Sequence, residues 1–349
     1  MKKIHVAAST KEYDVIIGEG LDYGALLKEV HAPCKLMVVS DDTVFSLHGE
    51  KTLQSLQDAG FETRTFVFEH GEKSKTLAVA EKLMIQMIEE EITKTDLLVA
   101  LGGGVVGDLT GMVASVFLRG MNFVQFPTTL LAAVDSSVGG KTAVDLPNGK
   151  NMVGAFHQPL TVLCDTDKFK TLPEEIYAEG MAESIKYGII YDAELFEKIE
   201  KNAISDEELV AACVQIKADI VAKDEFDRGP RHILNFGHTL GHAVETLSEY
   251  TIGHGQGVAI GMAALCAAKL PENEAKRVLH VLTDRKLPLK ADFDIHDLAV
   301  QAKADKKRHG DLVRVVLPIS IGEVELKDVN LTEWEEILKD GTDKVNDTM

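Results

Sequence analysis

The chain is 349 residues long, 45% hydrophobic and 27% charged, with a formal net charge of −19. That balance suits a soluble globular protein of about two domains, and no apolar run approaches the roughly 20 residues of a membrane span. So acidic a surface excludes general nucleic-acid binding but leaves room for anionic small molecules where lysines locally reverse the sign. The N-terminus lacks the long apolar segment of a secretory signal. Four scattered cysteines, Cys34, Cys164, Cys213 and Cys266, form no CxxC pair. A reducing cytoplasm is therefore expected, without a disulfide framework or zinc finger.

In chain order, strands are expected at 3–8 and 13–17, then a buried strand at 35–40 and a helix to about 59. Strand 63–68 precedes a helix at 75–91, strand 96–101 a helix at 105–118, and 122–126 is again strand-like. Residues 145–149 read as a turn between strands that begin near 142 and end near 153, and 160–165 as the last strand of this half. Alternation with helix-length crossovers argues a largely parallel sheet covered on both faces. Beyond about 166 the pattern turns helical, at 174–187, 193–202, 206–224, 239–247, 258–269, 272–282 and 295–307. A strand at 312–317 and a helix from 331 to 339 close the chain. The expected domains are 1–165, α/β, and 166–349, mostly α.

The strand 96–101 runs directly into GGGVVGD at 102–108, where Gly102, Gly104 and Gly107 satisfy GxGxxG between a strand and a helix. Glycines admit a pyrophosphate to the backbone, and the helix N-terminus offers N–H groups and a positive dipole end. No acidic residue follows some 20 positions on to read a ribose, so an ordinary dinucleotide dehydrogenase fits poorly; Asp41, Asp42 and Glu72 are the upstream alternatives. The segment 126–142 is dense in hydroxyls and glycines, and places Asp135 and Lys141 near Lys150 and Asn151. Gly140-Lys141-Thr142 looks like the end of a P-loop, but Asp135 stands where that motif needs glycine. Lysines at such turns can hold a phosphate as point charges.

His238 and His242 lie at i and i+4 on one helix face, His254 follows between two glycines, and Glu183 adds a carboxylate from an earlier helix. Two histidines and a carboxylate with an open position are a usual catalytic zinc set. Spacing alone favours His238 and His242 as the ligand pair.

Together the segments GGGVVGD (102–108), FPTTLLAAVDSSVGGKTAVD (126–145), GKN (149–151), GMAESIKYG (180–188), LNFGHTLGHAVE (234–245), HGQGVAIGM (254–262) and DKKRHG with VRVVLP (305–318) resemble the 3-dehydroquinate synthase family of sugar-phosphate cyclases. The resemblance implies an α/β fold, with an N-terminal Rossmann-like parallel-sheet NAD-binding domain and a C-terminal α-helical metal and substrate domain. It implies that Glu183, His238 and His254 hold zinc or cobalt, so that His242 faces the substrate instead. NAD would lie against Asp41 or Asp42, Glu72 and Lys75 on its adenosine side. Gly103, Gly104, Val105, Val106, Gly107 and Asp108 would hold its pyrophosphate, with Thr128, Thr129, Lys141, Lys150, Phe169, Thr171 and Leu172 also on the cofactor.

For the substrate the resemblance implies Lys141, Asn151, Lys186, Lys217, Arg231, Asn235 and Lys306 or Lys307, with Asp135 and Lys150 between cofactor and substrate. Arg119 would reach the phosphate site of a neighbouring subunit, which implies a homodimer. Ser184 stands where the family usually has valine, and Gln256 where it often has glutamate. The implied reaction turns 3-deoxy-D-arabino-heptulosonate 7-phosphate into 3-dehydroquinate and phosphate, a shikimate-pathway step, through transient oxidation by NAD, β-elimination, re-reduction and aldol closure. Two rivals are a sister cyclase, such as 2-deoxy-scyllo-inosose synthase, and a metal-dependent polyol dehydrogenase. Arg231 and Asn235 favour a carboxylate-bearing substrate, because arginine can grip a carboxylate bidentately. No membrane or nucleic-acid partner is expected.

Overall fold

A computed structural model describes residues 1–147, 149–305 and 312–348. Lys306 and Lys307 lie outside the described residues. The chain forms two compact units, Met1–Pro173 with Asp206–Phe226, and Glu174–Ser205 with Asp227–Met349. A single cut at 165 therefore does not describe the division. Among the described residues, no helix is long and apolar enough to cross a membrane.

The first unit opens with β1 (Lys2–Ala7), β2 (Glu12–Gly18), α1 (Tyr23–Val30) and β3 (Lys35–Asp41). Next comes α2, which is α over Asp42–Val44, π over Phe45–Gly49 and α again over Glu50–Asp58. Then follow β4 (Glu62–Phe68), α3 (Leu77–Glu89), β5 (Leu97–Gly102), α4 (Gly104–Val116), β6 (Asn122–Pro127), β7 (Lys141–Leu146), β8 (Gly149–Phe156) and β9 (Thr161–Asp165). Seven strands form one sheet in the order β1-β2-β9-β6-β5-β3-β4, parallel except for the β1–β2 pair. β7 and β8 make a separate antiparallel hairpin.

Every residue of β5 is buried, as a central parallel strand requires. Strand periodicity then divides the core between the two faces. Met37 and Val39 point into one cluster with Leu98, Val106 and Leu109, and Leu36 and Val38 into the other with Leu97, Val99 and Leu27. The chain runs from β3 out to β4 and returns to β5 on the other side of β3, so the strand order reverses between β3 and β5. The carboxyl ends of those strands are where a ligand crevice opens in a doubly wound sheet.

The helix Asp206–Lys223 joins this unit by packing against β1 and β2, and the segment that follows it is tied to the β1–β2 turn. Buried Glu225 accepts hydrogen bonds from the Thr10 N–H (2.9 Å), the Ser9 and Thr10 hydroxyls and Gln158 Nε2 (2.8 Å). Four donors offset the cost of burying that carboxylate.

The second unit is mostly helical: α5 (Glu174–Ile190), α6 (Ala193–Glu200), then, after α7 (Asp206–Lys223) of the first unit, α8 (His238–Leu247), α9 (His254–Lys269), α10 (Glu272–Asp284), α11 (Ile295–Asp305), β10 (Leu312–Ser320), β11 (Glu323–Asn330) and α12 (Leu331–Thr348). α5 is buried on all sides from Gly180 to Ile190, and α9 from Gly255 to Ala267 except Gln256. Neither therefore has a polar face. β11 is a strand that the sequence pattern does not announce, because its side chains are largely exposed and polar.

Candidate functional site

The glycine loop sits at the carboxyl end of β5. Gly103 caps α4 with no side-chain cap hydrogen bond. A Cβ on Gly103 would meet Thr129 Cγ2 at 3.2 Å, and one on Gly104 would meet Ser136 Oγ at 3.2 Å. Their absence leaves a shallow cradle over the helix N-terminus. Two buried hydroxyls beside it, Thr128 Oγ1 and Ser136 Oγ, have no hydrogen-bond partner among the described residues. Free N–H groups, a helix dipole and unsatisfied hydroxyls fit a pyrophosphate. Gly102 and Gly107 serve packing instead: a Cβ at Gly102 would strike the Val106 side chain at 2.5 Å, and one at Gly107 would strike Gln125 Oε1 at 2.6 Å. Val106 turns its side chain into the core, so only its backbone can face a cofactor. Ser136 was not foreseen, since nothing in the sequence separates it from the hydroxyls around it.

Three of the expected residues meet through one ammonium. Buried Lys75 donates to Asp108 Oδ2 and to Asn151 Oδ1, each at 2.6 Å. Burial would lower its pKa, but the charges of Asp108, Glu72 and Asp145 outweigh this and hold it above the ordinary lysine range. Asn151 has φ +56°, which asparagine tolerates better than most residues, and its N–H donates to Asp145 Oδ1 at 2.6 Å. The hairpin β7–β8 is thus tied to the glycine-loop helix. Lys217 Nζ meets Asp135 twice, at the backbone oxygen (2.6 Å) and at Oδ1 (2.8 Å). Lys150 approaches Glu72 at 3.9 Å, and Lys141 is exposed at the start of β7.

Other expected residues are placed differently. Asp41 accepts from the Val44 N–H at 2.8 Å and caps α2, and exposed Asp42 pairs with His70 at 2.8 Å. Thr171 bonds to the Lys168 carbonyl and to His48 Nε2, with buried Phe169 and the adjoining Leu172 on the same turn. Arg119 lies exposed beyond α4 with φ +65°.

The second unit holds the histidine cluster. One ligand atom each from Glu183, His238 and His254 lies within 4.8 Å of the others. The Nε2 atoms of His238 and His254 stand 3.4 and 3.5 Å from Glu183 Oε1. That set, not the i, i+4 pair, forms the convergent group; the His242 ring stands beside both, 5.5 Å from His238 and 6.0 Å from His254 between centroids. The Phe236 carbonyl takes His238 Nδ1 (3.0 Å) and Glu245 takes His254 Nδ1 (2.7 Å), which turns both Nε2 atoms toward Glu183. Nitrogen and oxygen donors held so from behind fit a divalent ion. Lys186, one turn after Glu183, pairs with its other oxygen, and both are fully buried.

Burial and then the Lys186 charge hold His238 well below the usual histidine range. Burial also works against a charged His254, but Glu183 and Glu245 outweigh it and push His254 up to about 10. Arg231 is buried on the turn Pro230–Asn235, which ends at half-buried Asn235.

Glycines set the spacing of this cluster. A Cβ on Gly261 would lie 2.0 Å from the Gly237 carbonyl oxygen, and one on Gly241 would lie 2.8 Å from the Gly257 carbonyl carbon. α8 and α9 therefore cross backbone to backbone, and the first residue of each is a histidine of the cluster. Gln256 caps α9, accepting from the Gly253 N–H at 3.1 Å, and the Ser184 hydroxyl donates to the Gly180 carbonyl at 3.0 Å within α5.

Sequence models of the 3-dehydroquinate synthase N-terminal and C-terminal domains match residues 65–179 and 180–308. The chain belongs to the 3-dehydroquinate synthase family. It is 42% identical to the 3-dehydroquinate synthase of Nostoc punctiforme over 346 residues, covering 93% of this chain and 95% of that one. It is 38% identical to that of Clostridium botulinum, covering 95% and 99%. Among solved structures it resembles the 2-epi-5-epi-valiolone synthase of Streptomyces hygroscopicus, which has NAD+ and Zn2+ bound, with a TM-score of 0.87 and 26% identity over 95% and 97% of the two chains. A 2-deoxy-scyllo-inosose synthase shares the fold, with a TM-score of 0.86 and 24% identity over 97% of this chain and 100% of that one. The chain is thus an enzyme of a family of lyase-type cyclases.

Proposed function

We propose that this protein is a 3-dehydroquinate synthase that converts 3-deoxy-D-arabino-heptulosonate 7-phosphate to 3-dehydroquinate and inorganic phosphate, using NAD and one zinc or cobalt ion. The observation that carries this reading is the convergence of Glu183, His238 and His254, with both rings oriented from behind, in a chain of this family. The glycine cradle supports the nucleotide, as does the NAD+ and Zn2+ of the valiolone synthase. Once bound, the ion would supply Lewis acidity at a carbinol oxygen, and NAD would supply a reversible hydride acceptor for that carbon.

The chain's own groups then divide the work. Glu183, His238 and His254 hold the ion. The backbone from Gly103 to Asp108 holds the pyrophosphate, with Thr128, Thr129 and Ser136 beside it. Asp41 or Asp42, with Glu72, serves the adenosine side, and Phe169, Thr171 and Leu172 flank the cofactor. Lys75, already committed to Asp108 and Asn151, sets those two groups in place. Lys141, Lys150 and Lys217 neutralise the substrate phosphate and favour its departure, and the Asn151 amide binds the substrate by hydrogen bonding. Asp135 fixes Lys217. Arg231, Asn235 and Lys186 receive the carboxylate and hydroxyls, and His242 holds and moves a proton at the reacting hydroxyl. Arg119 reaches the phosphate site of a neighbouring subunit in a cytoplasmic homodimer.

The substrate choice rests on Arg231. Phosphate release is expected from the heptulosonate phosphate, and not from glucose 6-phosphate or sedoheptulose 7-phosphate, which carry no carboxylate. Arg231→Lys should lose at least about tenfold in kcat/KM, because an ammonium cannot reproduce the bidentate grip. Faster release from either of the other sugars would move the protein to a sister cyclase.

A further inference from the structure

The two rings of the histidine cluster are fixed by unequal partners. His238 Nδ1 meets a neutral acceptor, the Phe236 carbonyl, in its own segment. His254 Nδ1 meets a charged one, Oε1 of Glu245, which comes from the last turns of α8. Glu245 is only 3% exposed. It lies against α9 where the two helices come closest: a Cβ at Gly257 would stand 2.9 Å from the Gly241 carbonyl oxygen and in ordinary contact with Glu245 Cγ. Burying a carboxylate is costly unless it is paired, and the proposed reaction places Glu245 on neither substrate nor cofactor.

We propose that Glu245 is a positioning residue for the ion, which holds His254 with Nε2 turned inward and strengthens that nitrogen as a ligand. The inference rests on the reading that Glu183, His238 and His254 bind a divalent ion. A neutral imidazole has one protonated nitrogen and one lone-pair nitrogen. A carboxylate can only accept, so Glu245 keeps a proton on Nδ1, and with the ion bound it is Nε2, on the Glu183 side, that gives up its proton and offers the lone pair. A charged acceptor also pushes electron density into the ring more strongly than a carbonyl does. The Phe236 carbonyl performs the first task for His238 without the second. The chain thus carries one strong and one ordinary imidazole ligand, and the strong one depends on a residue from the neighbouring helix.

The test is cobalt(II) titration of the full chain against a chelator of known affinity, for the unaltered protein, Glu245→Gln and Glu245→Ala. Glutamine keeps the volume and an acceptor oxygen but loses the charge; it should weaken binding about tenfold, and alanine by up to roughly 100-fold. The absorption spectrum of the bound cobalt should shift in the same order. Phosphate release by Glu245→Gln should return at saturating cobalt, which a misfolded site would not allow. Should the alanine variant fail to fold, the glutamine variant decides. Affinity and spectrum unchanged in Glu245→Gln would overturn the positioning role and leave the ion site standing. Unaltered protein that takes up no cobalt would overturn the ion site and the inference with it.

Discussion

Glu183→Gln is expected to lose the divalent ion and a large part of the stability of the helical unit. Glu183 is fully buried, pairs with fully buried Lys186 and stands between the Nε2 atoms of His238 and His254. Neutralising it removes the charged member of the ligand set and leaves the Lys186 ammonium beside an amide. Breaking a buried ion pair from one side costs on the order of 3–5 kcal/mol. Two readouts separate the effects: metal content by elemental analysis, and the denaturant midpoint of metal-stripped protein. Both should fall, and phosphate release should drop by at least about a thousandfold. Replacing Glu183 and Lys186 together, by Gln and Met, should recover stability but not metal, because no charge is then stranded. A single Gln variant with full metal content would contradict the ligand assignment.

Gly261→Ala should disturb both the ion and the fold through geometry alone. Its Cβ would lie 2.0 Å from the carbonyl oxygen of Gly237, the residue that precedes His238 and caps α8 with φ +78°. Backbone cannot rotate away as a side chain can, so the two helices must part and His238 must move relative to His254. Overpacking of this kind costs about 1–3 kcal/mol. Gly341→Ala is the control. Its Cβ would lie 2.1 Å from the Ala264 carbonyl oxygen, an equally tight approach against the same helix but away from the ligands. Both variants should lower the denaturant midpoint. Only Gly261→Ala should also weaken cobalt binding, by about tenfold or more. Equal metal affinity in the two variants would mean that the helix crossing does not set the ligand spacing.

Much of this arrangement is legible in the residues. The β-strands of the first unit and the glycine loop follow from apolar runs ending in turn residues, and the structure places them within a residue or two of expectation, except that β8 runs three residues further, to Phe156. The helix starts were harder to read. Both α8 and α9 begin on a histidine of the cluster, at His238 and His254, whereas the pattern suggested 239 and 258. Glycines around His254 lower helix propensity locally, and here they exist to let helices touch. Spacing likewise favoured His242, since i, i+4 neighbours share a helix face; His254 joins His238 across two helices, which no local pattern encodes. Glu245 and Ser136 carry no signal at all, because their roles arise from tertiary contact. The grouping of α7 with the sheet unit also depends on long-range contacts, its packing on β1 and β2 and those of Glu225 with Ser9, Thr10 and Gln158.

One measurement tests the central claim most directly: phosphate release from the heptulosonate phosphate with NAD far below the substrate concentration, with zinc or cobalt, and with or without chelator, while NADH is followed by its absorbance. The proposed chemistry predicts many phosphates released per NAD, no net NADH, and loss of release when the ion is chelated. NADH rising in step with product, without phosphate release, would contradict it. The protein would then be a dehydrogenase, and the phosphate-binding roles of Lys141, Lys150 and Lys217 would fall.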